Sequence, residues 1–390
     1  MRNRFVVRGK RIPGVRYQRP AFGIRPSTQD LGLTQHQHAA CGQQPACGSL
    51  DATSHRMKRI NSRRVRRSVT GAIVFFTAWA LVSGPSALAA DAEVPRKIPV
   101  ILDTDIGDDI DDTWALGLAL KCPEFDVKLV VGDHGKPLYR TRLIAKFLER
   151  AGRTDIPIGM ALDTRMHGGG RQSAWVADYN LNRYPGRIYP DGVQAIIDTI
   201  LQSPEPVTVI GIGPVPNLAA ALQREPRIAQ KARFVGMHGS VRKGYGNSPQ
   251  PHAEYNVKED ASACQRVLGA AWDIIITPLD TCGLIQLKGA EYARVRQAAD
   301  PICQAILENY RIWLEAGQKA QADTRSSILF DTVAVYLAIE DRLCTMEELG
   351  IRVTDDGFTV IDPAAKKMRV ATAWKDQPAF DRWLASRLAP

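Results

Sequence analysis

Cysteine is scarce and poorly spaced for metal binding. The chain of 390 residues holds seven, two within the first fifty positions and five later, Cys122, Cys264, Cys282, Cys303 and Cys344, with no CxxC pair among those five. That spacing argues against a structural zinc site, and the odd count leaves at least one of the five outside any intrachain disulfide. No internal repeat is visible. A long basic run is also missing beyond residue 97, where 34 Lys+Arg stand against 37 Asp+Glu, a net of −3. Residues 1–97 carry 17 against 4, a net of +13. The basic pI of about 9.3 therefore belongs to the leader and gives no argument for nucleic-acid binding by the rest.

The apolar stretch at residues 69–82 is 14 residues long, short of the roughly 20 that a membrane-spanning helix needs. It follows the charged Arg63-Arg64-Val65-Arg66-Arg67 and ends at Ser83-Gly84-Pro85, before the small-x-small sequence Ala87-Leu88-Ala89. That is the layout of a secretory signal peptide, so residues 57–89 are expected to direct the chain to a periplasmic or secreted location without a stable membrane anchor. No cysteine follows the cleavage site to take a lipid. Residues 1–56 show neither helical nor strand period, and Met57 is a natural start for such a leader. They read as an over-extended, non-native or disordered segment.

From residue 90 onward, apolar runs of strand length alternate with helix-like segments. Strands are expected at residues 98–104, 127–132, 156–159, 207–210, 232–237 and 273–277, and a hairpin around Asp355-Asp356-Gly357-Phe358. Helices are expected at residues 111–121, 137–151, 192–202, from 217 to 223, near 299–317 and at 326–339. This alternation predicts one α/β domain over residues 90–390, with a mostly parallel sheet and helices on both faces. Residues 163–190, rich in Gly, Arg, Asn and Tyr, read as a long functional loop whose Trp175, Tyr179, Tyr184 and Tyr189 are candidates for stacking on a planar ligand.

The densest chemistry lies in Asp103-Thr104-Asp105-Ile106-Gly107-Asp108-Asp109-Ile110-Asp111-Asp112, six aspartates in ten residues between a strand and a helix. So many carboxylates at one strand end repel one another unless a cation or many donors neutralise them. Hard oxygen donors favour calcium or magnesium. The carboxyl end of a strand is also where open α/β sheets place their ligands.

Four further segments belong with it: Val130-Val131-Gly132-Asp133-His134-Gly135; Ile210-Gly211-Ile212-Gly213-Pro214-Val215-Pro216-Asn217; Val235-Gly236-Met237-His238-Gly239-Ser240 followed by Gly246-Asn247 and Glu254-Tyr255-Asn256; and Leu329-Phe330-Asp331-Thr332. Five segments in this order, over roughly residues 98–338, resemble the inosine-uridine-preferring nucleoside hydrolase family. The resemblance implies hydrolysis of the N-glycosidic bond of a ribonucleoside or related small ribosyl compound, with a bound Ca2+, in a protein that is often a homo-oligomer. By position it implies metal ligation by Asp105, Asp112, the Ile212 carbonyl and Asp331. Asp105 and Asp331 would take part in catalysis, and Asp111, Asp133, Met237, Asn247, Glu254 and Asn256 would hold the ribose.

The residue types suit the reaction. Cleavage of an N-glycosidic bond builds positive charge on the sugar, which carboxylates stabilise, and a carboxylate such as Asp105 can accept a proton from water. Three departures from the family pattern stand out. Two extra residues separate Gly107 from Asp111-Asp112, leaving Asp108 and Asp109 as alternative ligands. Asn247 lies seven residues before Glu254. Phe330 stands where some members carry a proton-donating histidine, which leaves His134, His167, His238, His252 and Tyr255 as other donors. Two further readings exist. Asp103-Thr104-Asp105 also resembles the acidic pair of haloacid-dehalogenase-type phosphatases, and a protein without its proton donor could bind a ribosyl ligand without cleaving it.

Overall fold

In this computed structural model, residues 96–390 apart from His167 are described. The expected leader, signal peptide and His167 lie outside the described residues. Ten strands form one sheet: β1 Ile98–Thr104, β2 Phe125–Gly132, β3 Ile158–Gly159, β4 Ile188–Tyr189, β5 Val207–Gly211, β6 Ala232–Met237, β7 Ile274–Thr277, β8 Cys344–Val353, β9 Thr359–Ile361 and β10 Lys367–Trp374.

The composition of β1 explains its place. Val100 and Leu102 face one apolar cluster and Ile101 the other, all three fully buried. A strand covered on both faces needs apolar residues at every position, as central strands of parallel sheets have. Helix Asp111–Lys121, buried from Asp111 to Ala119, covers one face together with helix Pro301–Trp313. Helices Gly192–Gln202, Pro216–Arg224 and Ala261–Gly269 cover the other.

The order across the sheet is β4-β3-β2-β1-β5-β6-β7-β10-β8-β9. Pairing is parallel from β4 through to β10, and antiparallel between β10 and β8 and between β8 and β9. The chain runs outward from β1 to β4 and then returns to lay β5 on β1's other side. That reversal opens a crevice beyond the carboxyl ends of β1 and β5, the usual ligand position in such sheets.

The mostly parallel α/β architecture agrees with the sequence reading. The hairpin is present, with Val353 opposite Thr359. Strands β4 and β10, and β8 before Val353, went unpredicted: β4 has two residues, β8 is mostly partly buried or exposed, and β10 opens with exposed Lys367 and Arg369 alternating with buried Met368 and Val370. The five cysteines are buried free thiols. Among the described residues no helix is long and apolar enough to cross a membrane.

Candidate active site

The acidic loop leaves β1 under tight local control. Thr104 Oγ1 donates to Asp112 Oδ1 at 2.5 Å and accepts from the Ile106 amide at 3.2 Å, tying the strand end to the first turn of the next helix. Gly107 has φ +117°, and a Cβ there would lie 2.6 Å from both Leu143 Cδ1 and Tyr139 Cε1. Only glycine combines that dihedral with that clearance.

Five consecutive backbone carbonyls then accept from distant side chains. Arg140 donates to Asp105 O and to Ile106 O (2.9 Å), Tyr139 to Gly107 O (2.9 Å), Trp313 Nε1 to Asp108 O (3.0 Å) and Gln172 Nε2 to Asp109 O (3.0 Å). The loop satisfies no carbonyl by helix or sheet pairing over this span, so these donors determine its course.

Arg140 is fully buried, and its guanidinium also reaches His134 O and Gly135 O and pairs with Asp108 at 2.9 Å. Asp108 takes a second cation, Lys136, at 2.6 Å. Asp109 Oδ1 accepts from the Ile110 amide at 2.7 Å. Both inserted aspartates are thus engaged by protein donors, although both line the cavity described below.

Asp111, Asp112 and Asp331 converge instead. Each is buried, and one carboxylate oxygen from each lies within 4.8 Å of the others. Asp111 and Asp112 open their helix, while Asp331 precedes helix Thr332–Leu337 and reaches the trio from another part of the chain. Burial first, and repulsion from neighbouring aspartates second, hold all three well above the ordinary carboxylate range. Burial pushes Asp105 up to about 6 against the pull of Arg140. A set of buried oxygens that repel one another fits a hard divalent cation, and this chain offers only oxygen donors at the spot.

The other expected residues divide. Asp105, Asp111, Asp112, Ile212, Met237, Glu254, Asn256 and Asp331 all line one cavity of about 270 Å³ at the β1–β5 crevice. Asn256 Nδ2 donates to Met237 O at 3.0 Å and lies 3.5 Å from Ile212 O. Glu254 accepts from the amides of Asn256 (2.8 Å), Gly239 (2.9 Å) and Val257 (3.3 Å). Burial still pushes Glu254 up to about 7, against those three donors.

Asp133 does not line the cavity. It is wholly buried behind Asp105, with Oδ2 accepting from Val215 N at 2.7 Å and Oδ1 unpartnered, and burial followed by Asp105 pushes it up to about 7. Asn247 is also placed elsewhere. Gly246 and Asn247 are successive left-handed residues, so the chain turns away after Tyr245, and exposed Asn247 lines a separate depression with Gln286, Lys288 and Asp381. Tyr245, two residues earlier, lines the cavity in its stead.

No histidine among the described residues lines the cavity. His238 Nε2 is paired with Gly213 O at 3.0 Å beneath Phe234, and burial lowers it to about 4. Burial also lowers His134, which sits 3.8 Å from Glu259. His252 Nδ1 accepts from the Tyr245 amide. Tyr255 does line the cavity, as do Phe330 and Tyr245; the Tyr255 amide donates to Tyr245 Oη at 2.9 Å, and burial raises both tyrosines so that they stay protonated.

The aromatic residues of the long loop turn inward or sideways. Trp175 packs on Phe147 and donates to Glu308, Tyr179 donates to Glu149, Tyr184 is buried and Tyr189 lies under Arg187. That loop sends Arg171 into the cavity instead. Asp103, the first acid of the phosphatase alternative, is buried against Asn217 outside the cavity, and no lysine among the described residues lines it.

Arg140, Arg171 and Tyr245 were missed by the sequence reading. For Arg140 a signal existed: it precedes Leu143, Ile144 and Phe147 by three, four and seven positions, which puts an arginine on the apolar face of helix Pro137–Arg150.

Comparison with known proteins agrees with this geometry. The family model described as "Inosine-uridine preferring nucleoside hydrolase" matches residues 100–381. The chain is 28% identical over 316 residues to the pyrimidine-specific ribonucleoside hydrolase RihA of Citrobacter koseri, covering 75% of this chain and 98% of that protein. Among solved structures, the purine-preferring ribonucleoside hydrolase from Gardnerella vaginalis superimposes with a TM-score of 0.62 at 22% identity, over 75% of this chain and 98% of its own. A plant nucleoside hydrolase does so with a TM-score of 0.62 at 22% identity, over 76% and 99%. The match of the family model over most of the domain, with the acidic cavity at its centre, places the chain in the inosine-uridine preferring nucleoside hydrolase family as an N-glycosyl hydrolase.

Proposed function

We propose that the protein is an exported, Ca2+-dependent hydrolase that releases ribose from ribonucleosides. The observation that carries the reading is the convergence of Asp111, Asp112 and Asp331 beside Asp105 at the β1–β5 crevice. Asp112 and Asp331 would hold the ion, joined by Asp105 and the Ile212 carbonyl. When bound, the ion neutralises these carboxylates and acidifies a water molecule.

The chain's own residues account for the rest. Asp111 and Asp331 accept hydrogen bonds from ribose hydroxyls, and Glu254 and Asn256 grip the sugar from the β6 side. As the glycosidic bond lengthens, positive charge grows on the ribose ring, and seven cavity carboxylates stabilise it. Asp105, which lines the cavity, takes the proton of the attacking water. Phe330, Tyr245 and Tyr255 supply an aromatic wall for the base, with Tyr245 and Phe330 edge-to-face at 6.1 Å.

The names of the relatives, pyrimidine-specific in one and purine-preferring in another, leave base preference to be set by this wall. Export is supported by the charged and apolar pattern of residues 57–89. The test is chelator-sensitive release of free ribose from a panel of purine and pyrimidine nucleosides. Tight nucleoside binding with no release would mark a binding protein instead.

A further inference from the structure

A hydrolase of this kind must help the base to leave. The leaving nitrogen takes the electron pair of the glycosidic bond, and a proton or a positive charge near the base must meet it. No histidine among the described residues lines the cavity, Phe330 has no proton to give, and Tyr245 and Tyr255 are neutral phenols that bring no positive charge to the departing base. Against seven carboxylates, one cation among the described residues lines the cavity, Arg171.

The placement of Arg171 is built rather than incidental. A Cβ on its neighbour Gly170 would lie 2.6 Å from Gly107 O and 2.7 Å from Asp108 Oδ1, so the peptide before Arg171 lies directly against the acidic loop. Gln172 on the other side is fully buried, accepting from Thr113 Oγ1 at 2.9 Å and donating to Asp109 O. The side chain then stacks its guanidinium 3.9 Å from the centre of the Trp313 ring and donates one Nη2 bond to Trp313 O at 2.9 Å. Trp313 is itself anchored by its indole N–H on Asp108 O. Such stacking fixes the guanidinium plane while leaving its edge available. Arg171 forms no ion pair among the described residues, although Asp109 is near enough to feel its charge, and the rest of its fork has no hydrogen-bond partner among them. An arginine held in this way offers preset donors to an acceptor that develops negative charge.

Resting on the hydrolase reading above, we propose that Arg171 is the leaving-group residue of this enzyme, its guanidinium bonding the acceptor edge of the departing base. The bond between the anomeric carbon and the base nitrogen breaks with both electrons going to the base. The water oxygen bonds to the anomeric carbon and its proton passes to Asp105. The base leaves as an anion held by Arg171, which remains protonated throughout, and takes a proton from solvent on release. Arginine never deprotonates in this range, so it acts by charge and donation and not as an acid.

The test compares substrates whose leaving groups need different amounts of help. Wild-type full-length protein, Arg171→Gln and Arg171→Lys are assayed on uridine, on inosine and on para-nitrophenyl β-riboside, whose phenolate leaves unaided. The expected result for Arg171→Gln is a loss in kcat of about 10²-fold on both nucleosides, the usual effect of removing one transition-state donor, with the nitrophenyl riboside changed less than about threefold. Arg171→Lys, which keeps the charge and loses the fork, should fall between the two. Equal losses on all three substrates would overturn the inference and make Arg171 a brace for the acidic loop, and so would unchanged nucleoside hydrolysis. If the wild type cleaves para-nitrophenyl riboside and nucleosides alike, the hydrolase reading stands whatever Arg171 does. If it releases ribose from none, that reading falls and this inference with it.

Discussion

Removing divalent metal should make this protein's stability depend on pH in the direction opposite to that of an ordinary acidic protein. Asp105 is pushed from 3.8 to about 6, Asp133 from 3.8 to about 7 and Glu254 from 4.5 to about 7, in each case chiefly by burial. A carboxyl raised in the folded state keeps its proton at a pH where the unfolded chain has lost it. The folded state then binds more protons, and stability falls as pH rises from the unfolded pKa through the folded one. The window runs from about pH 4 to about 7 for these groups. One group moved to about 7 loses roughly 3 kcal/mol of its contribution between pH 5 and pH 8, at about 1.4 kcal/mol per unit. The three groups are neighbours and titrate together, so their combined loss is smaller than three separate ones. Each kcal/mol is worth roughly 2 °C in Tm for a domain of this size, so a loss of one such contribution alone means about 6 °C. Thermal unfolding in excess chelator at pH 5, 6, 7 and 8 reads this directly. Added calcium should restore the high-pH Tm, since a ligand at about 100 times its Kd stabilises by roughly 2.7 kcal/mol. A metal-free Tm that is flat or rises across that range would refute the reasoning.

Two other outcomes follow from the same geometry. Asp112→Ala and Asp331→Ala should each abolish calcium binding in calorimetry and lower kcat by at least about 10²-fold, and full activity in either would remove the trio from the site. Arg140→Met should destabilise the fold by roughly 3–5 kcal/mol in chemical denaturation, because it strips a buried cation from Asp105, Asp108 and four loop carbonyls at once.

Much of the site was legible because it is local. The run from β1 into the acidic loop and its helix announces itself by composition, and Asp111 and Asp112 sit where the apolar helix pattern begins. Ile212 follows β5 and Met237 closes β6, and the parallel sheet brings such strand ends together without further information, while Glu254 and Asn256 sit at the start of the helix Tyr255–Glu259 further along the chain. Contacts made across loops were not legible in that way. Asn247 follows a glycine in a turn whose two positive dihedrals reverse the chain, and nothing in its side chain reports that. Of the aromatics of residues 163–190 that were candidates for stacking on a ligand, Trp175 and Tyr179 instead contact helices Pro137–Arg150 and Pro301–Trp313, whose Phe147, Glu149 and Glu308 lie far away in sequence. Arg171 is one of several arginines in its loop, and only the stacking on Trp313 distinguishes it.

The central claim is that this cavity breaks an N-glycosidic bond with the help of a divalent cation. The most direct measurement is free ribose released from inosine, adenosine, uridine and cytidine by the purified protein, with calcium and then with chelator. The account predicts release from at least one nucleoside, lost on chelation and recovered when calcium is returned. Nucleoside binding without release, or release of phosphate from phosphomonoesters in place of ribose, would contradict it.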